Sequence, residues 1–533
     1  MHSRVPLRLG FLCAVALAVC MQAAIAAGAY QVEEVPLSQI AADLAAGKTT
    51  SVKLTQAYIA RIKAYDGALN SVIGVAPDAL KQAAAADKRR KARKSLGPLD
   101  GVPILLKDNI DAVGMATTAG SYALVDNQPA QDSEVTRRLR AAGVVILGKA
   151  NLSQFAGFRS WKSFNGSTVG GPPHNPYDLS RTPAGSSSGS GIATAVSFAA
   201  ATIGTETAGS ITGPSNVNGV VGIKPSIALI SRRGIVPISA NQDTAGPMTR
   251  TVRDAAMLLN VLAGSDVGDP ASKDADARRT DYVAALSADA LQGKRIGVMR
   301  GLAGQDDRTN PVFNQALQDL AAQGAILVEI ADTGFVDIRP EMMINLTNDF
   351  KEDLNAYLAG TPSSVKVRNL DDLIAFSKAD PRESSHTSEL WDDSQATQGR
   401  KSSEYIQSLT IALAMTRDQG LDRLLAKNNV AALVTLTGGP AAVIQPDGSN
   451  ANRGISRDAR GATPPSATAY AAIAGYPHLS VPMGQVEGMP VGLSFIGPMW
   501  SEGTLLSLGY AYEQATHRRV PPVAYKKAVT AAE

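Results

Sequence analysis

The sequence predicts an α/β fold, a β-sheet covered by helices, and three observations carry that expectation. Short apolar runs such as Val102–Leu106 and Val144–Leu147 are each bounded by Gly or Pro, as buried strands are. Segments with helical spacing of apolar residues, such as Ser133–Ala142, separate them. The composition, 44% hydrophobic and 19% charged with 48 glycines spread along 533 residues, is globular and excludes a fibre or a disordered tail. That length permits one or two domains. With no internal repeat, low-complexity tract or linker in view, one domain over residues 27–533 is the economical reading.

Taken in chain order, the N-terminus has Arg4 and Arg8, an apolar run from Leu9 to Val19 and the small-residue exit Ala24-Ile25-Ala26. This matches a signal peptide over residues 1–26 and implies a periplasmic or secreted protein. The run falls short of the roughly 20 residues a spanning helix needs, so no stable membrane anchor is expected. Both cysteines, Cys13 and Cys20, lie inside the segment, leaving the mature chain without disulfide, thiol nucleophile or thiolate metal site. Cleavage also removes two arginines and no acid, taking the formal charge from +3 to +1, too little to capture nucleic acid.

Leu37, Ile40 and Leu44, with Ser38 as N-cap and Gly47 past the end, outline a first helix; Leu54, Tyr58, Ile62 and Tyr65 mark a second. Lys88–Lys94 is a basic cluster at a helix end and reads as a solvated face. After Gly191, Ile192–Ala201 reads as a buried helix and Val220–Pro225 as an extended segment. Arg295–Met299, a helix over Val312–Gln323 and Ile326–Ile330 form a further α/β stretch. Residues 335–430 are more helical and more charged, as in a lobe over a site. Val481–Met483 and Pro490–Gly497 return to a strand pattern.

The chemistry is concentrated in Arg181-Thr-Pro-Ala-Gly-Ser-Ser-Ser-Gly-Ser-Gly191, in Gly204-Thr-Glu-Thr-Ala-Gly-Ser210, which places Ser210 24 positions after Ser186, and in Leu106-Lys107-Asp108-Asn109. Glycines around a serine let backbone N–H groups converge where acyl transfer develops negative charge, so the pattern points to amide or ester hydrolysis by a serine without histidine. Gly185-Ser-Ser-Ser-Gly189 formally matches a nucleophile elbow with Ser187 central and His386, His478 and His517 downstream. An elbow follows a strand, however, and the preceding residues 174–183 are turn-rich. Gly189-Ser-Gly-Ile-Ala-Thr194 lacks the strand and third glycine of a dinucleotide loop, and no phosphate loop or His-Glu-x-x-His spacing occurs. No metal or other cofactor is expected.

A lysine with two serines remains, and Pro98–Gly264 strongly resembles the signature core of the amidase signature family. The resemblance rests on Gly101-Val-Pro-Ile-Leu-Leu-Lys-Asp-Asn109, Leu147-Gly-Lys-Ala-Asn-Leu-Ser153, the two serine segments, Gly219-Val-Val-Gly-Ile-Lys-Pro225, Gln242-Asp-Thr-Ala-Gly-Pro-Met248 and Ala474-Gly-Tyr-Pro-His-Leu-Ser-Val-Pro482. Finer features, including Thr117–Ser121 and Asp349–Leu358, look most like its bacterial peptide amidase branch. The resemblance implies a central mixed β-sheet covered on both faces by α-helices. It implies Ser210 as nucleophile, Ser186, in a cis peptide bond, as bridging serine, Lys107 as base, Ser187 in support, and an oxyanion hole from the N–H groups of Thr207, Ala208, Gly209 and Ser210. Lys107 must then be neutral at rest, which predicts a dry, apolar surround.

Three departures stand out. Where the family commonly has two glycines before the nucleophile this chain has Ala208-Gly209, which strains an alanine if that position needs positive φ. Ile211-Thr-Gly-Pro214 lacks the family's arginine, and Trp161–Pro173 is irregular. The expected function is hydrolysis of a carboxamide to carboxylate and ammonia through an acyl-enzyme, on C-terminal amides of peptides. Alternatives are fatty-acid, aryl or other small amides, and, of another class, a non-catalytic binding protein on a decayed scaffold.

Overall fold

The computed structural model describes residues 30–160, 166–302, 307–383, 386–445 and 466–525. The expected signal peptide with both cysteines, and residues 161–165 of the irregular Trp161–Pro173 segment, lie outside them. Among the described residues no helix is long and apolar enough to cross a membrane.

Eleven strands join one mixed sheet: β1 (Val72–Val75), β2 (Pro103–Lys107), β3 (Val145–Ala150), β4 (Ala201–Glu206), β5 (Val221–Lys224), β6 (Thr244–Thr249), β7 (Arg295–Val298), β8 (Ile326–Glu329), β9 (Ala432–Leu436), β10 (His478–Val486) and β11 (Met489–Ile496). Their spatial order is β1-β3-β2-β4-β6-β5-β10-β11-β9-β7-β8. The parallel set β3-β2-β4 and the parallel set β9-β7-β8 flank an antiparallel centre. Strands β2 to β6 and β9 are buried along their whole length, as strands covered on both faces are. This is the expected α/β fold with a central mixed sheet.

The first two helices form at Leu37–Ala45 and Ser51–Tyr65. Ser38 is not the cap: the carboxylate of Asp254 accepts the N–H groups of Leu37 (3.0 Å) and Ser38 (2.8 Å) from a distant helix. A larger correction concerns Ile192–Ala201. The helix runs over Ser188–Ala195, starting inside the serine segment, and Ala201 already belongs to β4. Between them Ser197 has φ +57°, and it is held there because its hydroxyl accepts the N–H of Glu34 and its carbonyl accepts from buried Arg61. Small apolar side chains suit either state, and tertiary partners decide.

The helical region forms as expected, with helices at Arg339–Ala359, Leu370–Ala379, Glu389–Ala396, Ser403–Thr416 and Asp422–Asn428. Phe350, Leu354, Leu358, Leu370 and Trp391 from this lobe share a core with Leu124, Phe155 and Phe158. The lobe thereby packs on the segment that leads from β3 toward the serine loop.

Candidate active site

Strands β2 and β4 are parallel neighbours, with Leu106 opposite Ile203, so their C-terminal ends deliver Lys107 and the segment Thr205–Ser210 to the same edge of the sheet. The serine loop is clamped above that edge. Ser153 N–H donates to the Ser186 carbonyl (3.0 Å), Ser187 N–H to the Ser210 carbonyl (3.1 Å) and Gly189 N–H to the Asn151 carbonyl (3.0 Å). The Gly185–Ser186 peptide is cis.

The glycines of this loop serve close packing more than convergence of donors. A β-carbon on Gly189 falls 2.3 Å from the Ser71 carbonyl oxygen, one on Gly191 falls 2.9 Å from Asn218 Nδ2, and one on Gly204 beneath falls 2.9 Å from Ser187 Oγ.

Lys107 is wholly buried. Its Nζ lies 2.7 Å from Ser186 Oγ, 2.9 Å from Thr205 Oγ1 and 3.2 Å from the Thr205 carbonyl oxygen. Burial lowers its pKa to about 7, although Asp243 and Glu206 push it the other way. The site is therefore dry as expected, but it is not apolar: the neighbours are acceptors and two acids, and desolvation outweighs them. A neutral amine fits this arrangement, since two N–H bonds can go to Thr205 while its lone pair accepts the Ser186 hydroxyl proton.

Ser187 Oγ donates to the Thr205 carbonyl (3.0 Å) and accepts the Thr205 N–H (3.2 Å). It is thus engaged with β4 and fully buried, which removes the nucleophile-elbow reading. Of its possible histidine partners, His478 is buried in β10 with Nε2 2.6 Å from Ser494 Oγ, and His517 directly follows the α-helix Glu502–Thr516. No cluster able to hold a metal occurs among the described residues.

Left-handed backbone in the nucleophile segment falls on Gly209, at φ +84°, and not on Ala208. The alanine in place of the common glycine is therefore unstrained, which answers the concern raised by that departure. Among the described residues the N–H groups of Ala208, Gly209 and Ser210 make no backbone hydrogen bond, whereas those of the next two residues, Ile211 (2.7 Å) and Thr212 (2.9 Å), donate to Glu206 Oε2. No hydrogen bond joins the Ser210 and Ser186 hydroxyls.

The structure brings Lys107, Ser186, Ser187 and Thr207–Ser210 together at one edge. It adds Thr205, Asn109, Glu206 and Asp243, to which the sequence reading gave no role. Asn109 Nδ2 donates to Thr205 Oγ1 at 3.0 Å. Asn109 and Asp243 stand inside motifs already singled out, so the signal was present, but only the fold shows that they face the lysine's partners.

Comparison with known proteins identifies the family. Residues 53–506 match the family model described as Amidase. A probable amidase of Arabidopsis thaliana is 36% identical over 510 residues, covering 92% of each chain. The structure of native peptide amidase from Stenotrophomonas maltophilia superposes with a TM-score of 0.85 at 42% identity, covering 93% of this chain and 99% of that one. A peptide amidase in complex with the competitive inhibitor chymostatin superposes at 0.86 and 43% identity, covering 92% and 99%. Matched along most of its length by the family model and by relatives of this similarity, the chain belongs to the amidase family and is an amide hydrolase.

Proposed function

We propose that this protein is an exported amidase that cleaves C-terminal amides of peptides, releasing ammonia through an acyl-enzyme on Ser210. The observation that carries the mechanism is the 2.7 Å contact between Ser186 Oγ and the buried amine of Lys107. With the Ser186 proton turned toward Lys107, the Ser186 oxygen is free to accept the proton of Ser210 as Ser210 Oγ attacks the amide carbon; contacts of this kind tighten in the reacting complex. The tetrahedral oxyanion meets the N–H groups of Thr207, Ala208, Gly209 and Ser210. Lys107 then returns its proton through Ser186 to the departing nitrogen, and water releases the acid by the same route in reverse. The peptide substrate is supported by similarity to peptide amidases over nearly the whole chain. Export is supported by the pattern of residues 1–26.

Ammonia release from a blocked dipeptide amide, beside a long-chain fatty amide and an anilide, tests the substrate, with Ser210→Ala as control. Preference for the peptide amide, abolished in Ser210→Ala, is expected. Turnover of only the other amides overturns the peptide reading, and no turnover of any promotes the decayed scaffold. Export is checked by N-terminal sequencing of the protein from a periplasmic fraction, with a mature start at Ala27 expected; retention of Met1 in the cytoplasm overturns it.

A further inference from the structure

Asp243, just before β6, is buried. Its Oδ2 accepts the N–H groups of Ile238 (2.7 Å) and Ser239 (2.9 Å), closing the loop 238–243 on itself. Its Oδ1 accepts the hydroxyl of Thr207 at 2.5 Å, and the neighbouring Gln242 Nε2 donates to the Thr207 carbonyl at 3.2 Å. Thr207 is thus held by side chain and main chain from two consecutive residues. The far side of the loop is tied to the helix Arg339–Ala359. Asp349 Oδ2 accepts from Ser239 Oγ (2.6 Å) and Asn241 Nδ2 (2.9 Å), and Asp353 Oδ2 accepts the Ala240 N–H (2.7 Å). Arg400 and Tyr405 in turn fix Asp349. One run of hydrogen bonds therefore leads from the helical lobe to the residue that opens the segment ending in Ser210.

We propose that Asp243 is a positioning residue for amide hydrolysis: its carboxylate locks Thr207, and through it the N–H groups of Thr207–Ser210, in the place where the oxyanion is received. The inference rests on the reading of Ser210 as nucleophile. A charge-assisted bond from Thr207 is about twice as strong as a neutral one and fixes the residue at which β4 leaves the sheet. The carboxylate has a second effect that mere scaffolding lacks. The charged groups facing Lys107 are Asp243 and Glu206, both of which favour its ammonium form. Asp243 itself faces Asp353 and Arg232, and burial pushes its carboxyl up to about 6. Replacing it by Asn removes one of the two negative charges facing the lysine, so the neutral amine survives to lower pH.

The test is steady-state kinetics of Asp243→Asn, Thr207→Val and Thr207→Ser against the unaltered enzyme on a blocked dipeptide amide, from about pH 5 to pH 9, with Ser210→Ala as control. Expected are a kcat loss on the order of tenfold in Asp243→Asn and Thr207→Val with KM changed less than about twofold, and recovery of most of kcat in Thr207→Ser. The acid limb moves to lower pH in Asp243→Asn alone. An unchanged kcat with an unmoved acid limb, or a loss confined to KM, overturns the proposal. If Asp243→Asn does not fold, the contrast between Thr207→Val and Thr207→Ser decides: equal kcat in the two overturns it. Turnover surviving in Ser210→Ala overturns the nucleophile reading and this inference with it, whereas an inert Ser210→Ala beside a fully active Asp243→Asn sinks only the inference.

Discussion

The amine of Lys107 is held near pKa 7 by burial against the pull of two acids. Its protonation removes the acceptor for the Ser186 hydroxyl, so kcat/KM should fall as pH drops below about 7. Steady-state rates across that range check this, and an acid limb well below pH 6 would count against Lys107 as the base. Keeping an amine neutral in the fold is costly, because the unfolded chain protonates it freely near pH 10.5. Lys107→Met should therefore abolish turnover yet stabilise the fold at pH 7 by about 1–3 kcal/mol, the relieved desolvation exceeding the lost hydrogen bonds. Denaturant unfolding of the variant measures it; lower stability would mean that the Thr205 and Ser186 contacts outweigh burial. At Gly209, with φ +84°, a β-carbon meets Thr468 Cγ2 at 3.4 Å, which is tolerable, so the cost of Gly209→Ala is conformational. About 1–2 kcal/mol of backbone strain is expected, relieved by turning aside an N–H group proposed to receive the oxyanion, with kcat falling at least tenfold.

Among the elements, the helical lobe is tied to the site a second time, by the buried carboxylate of Glu383. Glu383 accepts from Arg159 Nη1 (2.5 Å), Gln154 Nε2 (2.7 Å), Thr168 Oγ1 (2.7 Å), Ser121 Oγ (2.8 Å) and the Tyr122 N–H (2.7 Å). Gln154 and Arg159 bracket a left-handed run, Phe155 (φ +47°), Ala156 (φ +55°) and Gly157 (φ +83°), and a β-carbon on Gly157 falls 3.7 Å from Ser186 Cβ. Removing the carboxylate leaves the Arg159 guanidinium buried beneath Trp391 without its counter-ion. Glu383→Ala should cost about 3–5 kcal/mol, and Glu383→Gln less, in urea unfolding; equal midpoints to the unaltered protein would show the pair to be dispensable. None of this was legible from sequence, because Arg159 and Glu383 are 224 residues apart and lie in no motif. What was legible had local signals: β2, β3, β5 and β7 as apolar runs, and the helix Glu134–Ala141 with Ser133 at its cap. Strand β6, Thr-Ala-Gly-Pro-Met-Thr, carries two turn-forming residues and no alternation. Its glycine is there because a β-carbon on Gly246 would fall 2.1 Å from the Ile223 carbonyl oxygen, a demand of sheet packing invisible in one dimension. Lys107, Ser186 and Ser210 could be singled out from sequence because each stands in one of several spaced motifs. Thr205, Asn109 and Asp243 were not, because their role depends on which way strand-end side chains turn.

For the molecule as a whole, several buried ionisable groups pull stability in opposite directions with pH, and their windows separate. Asp111 and Asp243, both pushed up to about 6 by burial, and Glu513, pushed up to about 8, bind protons in the fold that they lack when unfolded, so each contributes stability that is lost as pH rises toward those values. His478, lowered to about 3 by burial and by Lys224, acts oppositely between about pH 3 and 6.5. Above about pH 9 these carboxyls are ionised in both states and no longer contribute to the slope. Two lysines remain: Lys107, lowered to about 7, and Lys224, lowered to about 8, each mainly by burial. Unfolded, both hold a proton up to about pH 10.5; folded, neither does, so the unfolded state binds more protons and stability climbs with pH. As pH approaches 10 the buried tyrosines, among them Tyr58, Tyr177, Tyr282, Tyr357 and Tyr512, whose pKa values burial raises, reverse the slope, because the unfolded chain ionises them first. Stability should therefore rise between about pH 8 and pH 9 by roughly 1 kcal/mol per pH unit and peak between about pH 9 and pH 10, on the alkaline side of the usual range. Urea unfolding at three pH values and fixed ionic strength measures the slope, and Lys107→Met should remove most of it. A flat or falling profile over that interval would mean that Lys107 and Lys224 remain charged in the folded protein, and it would remove the neutral amine on which the proposed acyl-transfer mechanism depends.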